Sequence, residues 1–216
     1  GHIRGAGTDT IKIDGVRSLS GCSHTIIPDR IEAGTFMAAA AITRGDIILA
    51  NAIPDHTRSI EAKLKEAGVQ FTPVKEGLRV YSSEPLQSMD LKTLPYPGFP
   101  TDMQAQMMTF MCTLSGSSMI TETVFENRYL HVSELKRLGA KIKIEGRCAI
   151  IEGVDRLQGA EVRATDLRAG AALLLAGLVA EGSTKISDIY HIERGYDGIE
   201  GKLQSLGANI EKVYNE

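Results

Sequence analysis

The sequence predicts one α/β domain built from three similar units, and two observations predict it. Three short words, LKEAG at Leu64–Gly68, LKRLG at Leu135–Gly139 and LQSLG at Leu203–Gly207, recur with their glycines 71 and 68 residues apart. Ahead of each lies an apolar helix opened by an aspartate: Asp29 before RIEAGTFMAAAAI, Asp102 before MQAQMMTFMCTL, Asp166 before LRAGAALLLAGLVA. Self-similarity at a fixed period marks a repeated structural unit.

The elements follow in order. Alternating, Val/Ile-rich stretches predict strands at IKIDGV (Ile11–Val16), LRVYS (Leu78–Ser82) and AIIEGV (Ala149–Val154). Each apolar helix is expected to stop at a glycine turn, Gly45, Gly116 or Gly182, and to pass into a strand: DIILANA, SMITETV, TKISDI. An amphipathic helix then closes the unit. Each unit reads β–β–α–β–α, over about 1–67, 68–138 and 139–206, with a closing strand over 207–216. Gly1 stands 67 residues before Gly68, in register with the closing glycines, so the chain reads as part of something longer. A helix apolar on every face must be buried on every face. The three first helices are therefore expected at the centre of a pseudo-threefold domain, with sheets and polar second helices outside. The longest irregular stretch, SSEPLQSMDLKTLPYPGFP, lies inside the second unit, so no interdomain linker is expected.

Composition excludes several function classes. The 216 residues are 43% hydrophobic and 24% charged, as in an ordinary globular protein. With 24 Lys+Arg against 27 Asp+Glu the net charge is −3, so no basic field points to nucleic acid. No apolar run reaches the roughly 18–20 residues that span a bilayer. The opening GHIRGAG is not a basic-then-apolar leader. A cytoplasmic protein without membrane partners is expected. Cys22, Cys112 and Cys148 lie far apart without CxxC spacing, and read as reduced structural thiols. The five histidines are unclustered, so no metal site is expected.

Asp29, Asp102 and Asp166 occupy equivalent places, so helix N-capping, worth about 1 kcal/mol each, explains all three alike. A second reading of Asp102, a carboxylate held for chemistry, rests on what only the middle unit has. There PYPGFPT, with three prolines, makes a stiff entrance to the aspartate. Arg58, Arg128 and Arg194 recur 10, 11 and 13 residues before the closing glycines, and Arg168 follows Asp166 at a helix start. Brought to one end of the domain beside helix N-termini, such arginines would receive a multiply charged anion. Surface pairing with Glu126 and Glu193 is the alternative, and the residues alone leave both open.

PTDMQAQ (Pro100–Gln106), ITETVFENRYLHVSELKRLGA (Ile120–Ala140), ATDLRAGA (Ala164–Ala171) and HIERGYDGIEGKLQSLGA (His191–Ala208) carry a family resemblance. With PDRIEAGT (Pro28–Thr35) and GAGTDTIKIDGV (Gly5–Val16), they resemble the UDP-N-acetylglucosamine 1-carboxyvinyltransferases, the MurA branch of the enolpyruvyl transferases. The resemblance runs over essentially the whole chain but only about the C-terminal half of the family sequence. It implies an inside-out α/β barrel of three βαβαββ-type units, one of two such domains with substrates between them. The family's N-terminal domain carries a reactive cysteine on a mobile loop, a Lys–Asn pair and further arginines. None of these is expected among the given residues, and Cys22, Cys112 and Cys148 do not match the reactive cysteine.

The resemblance implies transfer of the enolpyruvyl group of phosphoenolpyruvate to the 3′-hydroxyl of UDP-N-acetylglucosamine, with phosphate released, in peptidoglycan precursor synthesis. Asp102 would stand beside that hydroxyl as general base or acceptor. Val124, partly through its backbone, and Phe125 would meet the nucleotide sugar. Arg128, Arg168 and Arg194 would serve the phosphate and carboxylate of phosphoenolpyruvate and the interdomain surface, with Asp166 supporting Arg168. No cofactor is implied. The partners would be the two substrates and the N-terminal domain, without which the chain is expected to be inactive. The alternatives are a 5-enolpyruvylshikimate-3-phosphate synthase-like transferase and a non-catalytic module. The chemistry needs an ionised Asp102, so a helix N-terminus and arginines are expected to hold its pKa below the ordinary value.

Overall fold

Ile3 pairs with Ile13 across a small antiparallel hairpin of β1 (His2–Arg4) and β2 (Lys12–Asp14), tied by an Arg4–Asp14 ion pair at 2.6 Å. The computed structural model describes residues 1–8, 10–82, 85–126 and 128–213. The hairpin and the irregular residues 15–28 behind it are almost entirely exposed.

The packed body begins where Asp29 caps helix α1 (Arg30–Thr43), its carboxylate accepting from the Ile31 N–H at 2.8 Å. Small residues on α1 allow close neighbours. A Cβ on Gly34 would lie 2.8 Å from Ile60 Cδ1 and 2.9 Å from Met103 Sδ. The left-handed residue that ends α1 is Arg44, at φ 56°, not the expected Gly45, whose N–H returns to the Ala40 carbonyl at 2.8 Å. The chain then forms β3 (Asp46–Ala50) and α2 (Pro54–Glu66). Helix α2 buries Thr57, Ile60, Glu61 and Leu64, the spacing of a one-sided helix. Strands β4 (Gln70–Val74) and β5 (Gly77–Tyr81) complete an antiparallel sheet of order β3-β5-β4.

The predicted irregular connector contributes one short strand, β6 (Leu91–Lys92); its Ser83 and Glu84 lie outside the described residues. A 3₁₀ turn, Thr101–Met103, leads into α3 (Gln104–Met111), every residue of which is buried. Then come β7 (Ser117–Thr121), α4 (Val132–Arg137), β8 (Lys141–Glu145) and β9 (Cys148–Glu152). They build a second sheet, β6-β7-β9-β8, with β6 parallel to β7 and the rest antiparallel. In β7, Ser118 and Ile120 face inward while Ser117 and Met119 face out, as period-two alternation requires. Strands β10 (Glu161–Arg163) and β11 (Lys185–Ser187) pair in parallel, joined through α5 (Leu167–Gly177). Two short helices, α6 (Tyr190–Glu193) and α7 (Ile199–Ser205), follow.

Helices α1, α3 and α5 pack on one another at the centre, with the sheets and remaining helices around them. The all-round burial read from their composition holds: Met37, Met107 and Leu173 are wholly inaccessible. The recurring LKEAG, LKRLG and LQSLG words end α2, α4 and α7 with one cap. Gly68, Gly139 and Gly207 take φ of 107°, 88° and 96°. Each donates to the carbonyl three residues back, and the next N–H donates to the leucine carbonyl five back. The expected closing strand is not formed over 207–213, and residues 214–216 lie outside the described residues. Ala208 and Ile210 instead pack against the cluster around α6 and α7, where Gln204 Nε2 donates to the Ile210 carbonyl at 2.6 Å.

Candidate active site

A closed loop delivers Asp102. The Leu94 N–H donates to the Phe99 carbonyl at 2.9 Å and the Gly98 N–H to the Pro95 carbonyl at 2.8 Å. Phe99, buried, anchors the loop in the core. Pro100 opens the 3₁₀ turn, and Asp102 sits in the middle of that turn rather than at a helix cap. Neither the turn nor α3 has a side-chain cap. The shared capping explanation therefore holds for Asp29 and Asp166 and fails for Asp102. One extra 3₁₀ turn ahead of α3 moves this aspartate off the cap position, and its carboxylate meets arginines from two other segments.

Arg128 Nη2 donates to Asp102 Oδ1 at 2.7 Å, and Arg168 Nη2 donates to Oδ2 at 3.2 Å. Arg128 also donates through Nη1 to Thr101 Oγ1 at 2.8 Å and lies 4.8 Å from the centre of the Phe125 ring. Arg168 is set by Asp166, which caps α5 by accepting from the N–H groups of Arg168 and Ala169 at 2.8 and 2.9 Å. Its Nη1 reaches the Tyr196 hydroxyl at 3.4 Å. Burial pushes the Asp102 carboxyl upward, but the Arg128 hydrogen bond and the charges of Arg168 and Arg128 outweigh it, holding the pKa below the usual carboxylate range. The depression expected from the sequence is present, and Arg128 and Arg168 are its causes.

Beneath Arg168, the Tyr196 hydroxyl meets Thr35 Oγ1 at 2.9 Å, and Gln106 Nε2 donates to both, at 3.2 Å to Thr35 and 3.3 Å to Tyr196. Thr35 already donates to the Ile31 carbonyl, so Tyr196 is the donor to Thr35. This knot ties α1 and α3 to Arg168. Behind Arg128, Glu122 is 1% exposed. Its carboxylate accepts from the hydroxyls of Thr93 (2.7 Å) and Thr101 (2.8 Å) and from the N–H groups of Val124 (2.8 Å) and Phe125 (3.1 Å). Burial pushes its carboxyl up, and those four bonds pull it below the usual range. Neighbouring His131 is buried. Burial drives its pKa down to about 4, opposed by Asp166 and helped by Arg128.

The structure thus joins Asp102, Arg128, Arg168 and Asp166, with Val124 and Phe125 exposed beside them. Since both N–H groups of Val124 and Phe125 go to Glu122, Val124 can offer a ligand only its carbonyl and side chain. Arg194 is not in the cluster: it follows α6, is exposed, and makes none of these bonds. The surface pairs weighed against the anion reading form with other cations, Glu126 with Arg147 and Glu193 with Lys212. Arg58 pairs with Asp55 on an exposed face. Sequence reading missed Thr101, Glu122 and Tyr196. Their only signal was lying within the runs PTDMQAQ, TETVFEN and HIERGYDG. Among the described residues no group of His, Cys, Asp and Glu is arranged to hold a metal, and no helix is long and apolar enough to cross a membrane.

The family model for EPSP synthase (3-phosphoshikimate 1-carboxyvinyltransferase) matches residues 1–203. UDP-N-acetylglucosamine 1-carboxyvinyltransferase 1 of Caldanaerobacter subterraneus subsp. tengcongensis is 65% identical over 209 residues, 97% of this chain and 50% of its own length. The UDP-N-acetylglucosamine 1-carboxyvinyltransferase of Desulfofundulus thermocisternus is 60% identical over 217 residues, 100% of this chain and 89% of its own. Relatives of the same name in Staphylococcus epidermidis are 59% identical, with 51% of their length covered. Apart from the Desulfofundulus protein, the chain spans about half the length of these curated relatives. Among solved structures, the enolpyruvyl transferase NikO from Streptomyces tendae superposes with a TM-score of 0.75 at 28% identity, over 87% of this chain and 45% of that one. EPSP synthase from Acinetobacter baumannii gives 0.67 at 17% identity, over 88% of this chain and 45% of that one, a likeness of fold alone. With a family match over nearly all of its length and an α/β fold shared with enolpyruvyl transferases, the chain belongs to the EPSP synthase (3-phosphoshikimate 1-carboxyvinyltransferase) family.

Proposed function

We propose that this chain is one half of an enzyme that moves the enolpyruvyl group of phosphoenolpyruvate onto the 3′-hydroxyl of UDP-N-acetylglucosamine and releases phosphate. The observation that carries the reading is the Asp102 carboxylate held between Arg128 and Arg168. The carboxylate takes the proton of the attacking hydroxyl as its oxygen bonds to C2 of phosphoenolpyruvate. C3 is protonated in the same addition, giving a tetrahedral ketal. Loss of a C3 proton and of the C2–phosphate bond then restores the double bond. The same carboxylate stabilises the cationic character developing at C2. Arg128 and Arg168, with Arg194 joining from its exposed position, receive the phosphate and carboxylate charges, and Val124 and Phe125 border the sugar. The acid that protonates C3 comes from the other domain, so this half alone does not turn over.

The nucleotide sugar is favoured over shikimate 3-phosphate as acceptor by the names of the relatives 57–65% identical to this chain. The product serves peptidoglycan precursor synthesis in the cytoplasm. Three units of about 1–67, 68–138 and 139–206, related by a pseudo-threefold axis, are supported by the common cap at Gly68, Gly139 and Gly207. The test is phosphate release from phosphoenolpyruvate with either acceptor, using this chain alone and mixed with the N-terminal half of a relative. Release only in the mixture and only with UDP-N-acetylglucosamine is expected. Release with shikimate 3-phosphate instead would reverse the acceptor, and none with a folded mixture would remove the transferase reading.

A further inference from the structure

We infer that Glu122 is a positioning residue: through the Thr101 hydroxyl it fixes the Arg128 guanidinium against Asp102, and through two backbone N–H groups it holds the turn of Val124 and Phe125 beside them. Its functional meaning rests on the transferase reading; its geometry does not.

Glu122 is a buried carboxylate that forms no ion pair among the described residues and is held only by neutral donors. A buried charge is kept at a cost unless fully hydrogen-bonded, so the four donors define one arrangement. The direction of each bond matters. Thr101 donates its single hydroxyl hydrogen to Glu122 at 2.8 Å, which turns the oxygen lone pairs toward Arg128, whose Nη1 donates to them at 2.8 Å. With Nη1 so held, the planar guanidinium presents Nη2 to Asp102 Oδ1 at 2.7 Å. Thr93 reinforces the same point, donating to Glu122 at 2.7 Å while accepting from the Thr123 N–H at 2.9 Å. One carboxylate therefore aligns both the arginine and the turn that flank Asp102.

Glu122→Gln keeps the shape but cannot keep the bonds. If the amide oxygen stays with Thr93, Val124 and Phe125, its NH₂ faces Thr101 and displaces the hydroxyl hydrogen. Thr101→Val removes the same relay without touching Glu122. The readout is the titration of the Asp102 carboxyl by carbon NMR on this chain, alongside thermal melting. Both variants are expected to shift the Asp102 pKa upward, because Arg128 is no longer held against it, and the double variant to shift it no further than the larger single. Thr101→Ser, which keeps the hydroxyl, is expected to titrate as wild type. An unmoved Asp102 titration in Thr101→Val, or in a folded Glu122→Gln of lowered melting temperature, would make Glu122 a purely structural residue. Where Glu122→Gln does not fold, Thr101→Val decides, since it cuts the link between Glu122 and Arg128. Turnover is not measured, so this result and the transferase reading can fail separately.

Discussion

Arg168 and Asp102 lie 66 residues apart in sequence and meet side chain to side chain at 3.2 Å, while Arg128 takes the other oxygen of the same carboxylate. The two arginines that would receive a substrate anion are thus already occupied by the group proposed to be the base. An anion has to share them, and sharing releases the carboxylate. Removing the internal competitor should tighten anion binding: Asp102→Asn is expected to bind sulfate roughly two- to fivefold more strongly, the scale of one partly exposed ion pair. In the wild type, sulfate affinity should also rise as pH falls through the depressed Asp102 titration, and that rise should vanish in the variant. Calorimetry at a series of pH values reads both. Equal affinities at every pH would show that anions do not meet these arginines.

The three aspartates predicted as equivalent separate into two kinds. Asp29 and Asp166 accept N–H bonds at the starts of α1 and α5. Asp29→Ala and Asp166→Ala should each cost about 1 kcal/mol. Asp102→Asn removes no cap bond, only two partly exposed ion pairs with Arg128 and Arg168, and should cost no more than either. Chemical denaturation of the three variants checks the order, and a larger loss for Asp102→Asn would restore it to a structural role.

What could be read in advance follows from how local the physics is. The apolar faces of α1, α3 and α5 and the glycine caps at Gly68, Gly139 and Gly207 depend on neighbours within a few residues, so the repeat exposed them. Asp102 misled because its equivalence to Asp29 and Asp166 hid one added 3₁₀ turn. Glu122 and Thr101 were invisible because their bond spans 21 residues between a strand end and a turn. Nothing in TETVFEN alone says that its glutamate is buried. The strand expected over 207–216 is not formed over 207–213, where Ala208 and Ile210 pack on a helical cluster that the local sequence does not reveal.

Tyr196 links Arg168 to the central helices, so the knot should matter to both stability and charge. Tyr196→Phe removes the donor to Thr35 and the acceptor of Gln106 and Arg168. Losing a buried hydroxyl that bonds several partners should cost about 1–2 kcal/mol. Arg168 would lose one of its two anchors, and the Asp102 pKa should move upward. A destabilised variant with an unchanged Asp102 titration would confine Tyr196 to packing.

His131 makes stability depend on pH in a window of its own. Its folded pKa is about 4 against an ordinary 6.5, because burial disfavours the imidazolium and Arg128 repels it, against the opposing pull of Asp166. Between those values the unfolded chain binds the proton and the folded one does not. Stability therefore rises with pH across the window and is lost as pH falls from 6.5 toward 4. The full difference amounts to about 3 kcal/mol. Asp102 and Glu122, both depressed below the ordinary carboxylate range, release their contributions only at lower pH, so the upper part of the window belongs to the histidine. Denaturant unfolding from pH 6.5 down to about 5 should show a falling free energy in the wild type. His131→Phe, which keeps an aromatic ring in the buried site, should be nearly flat over that range. Parallel slopes in the two proteins would mean that His131 is protonated in the folded state or neutral in both.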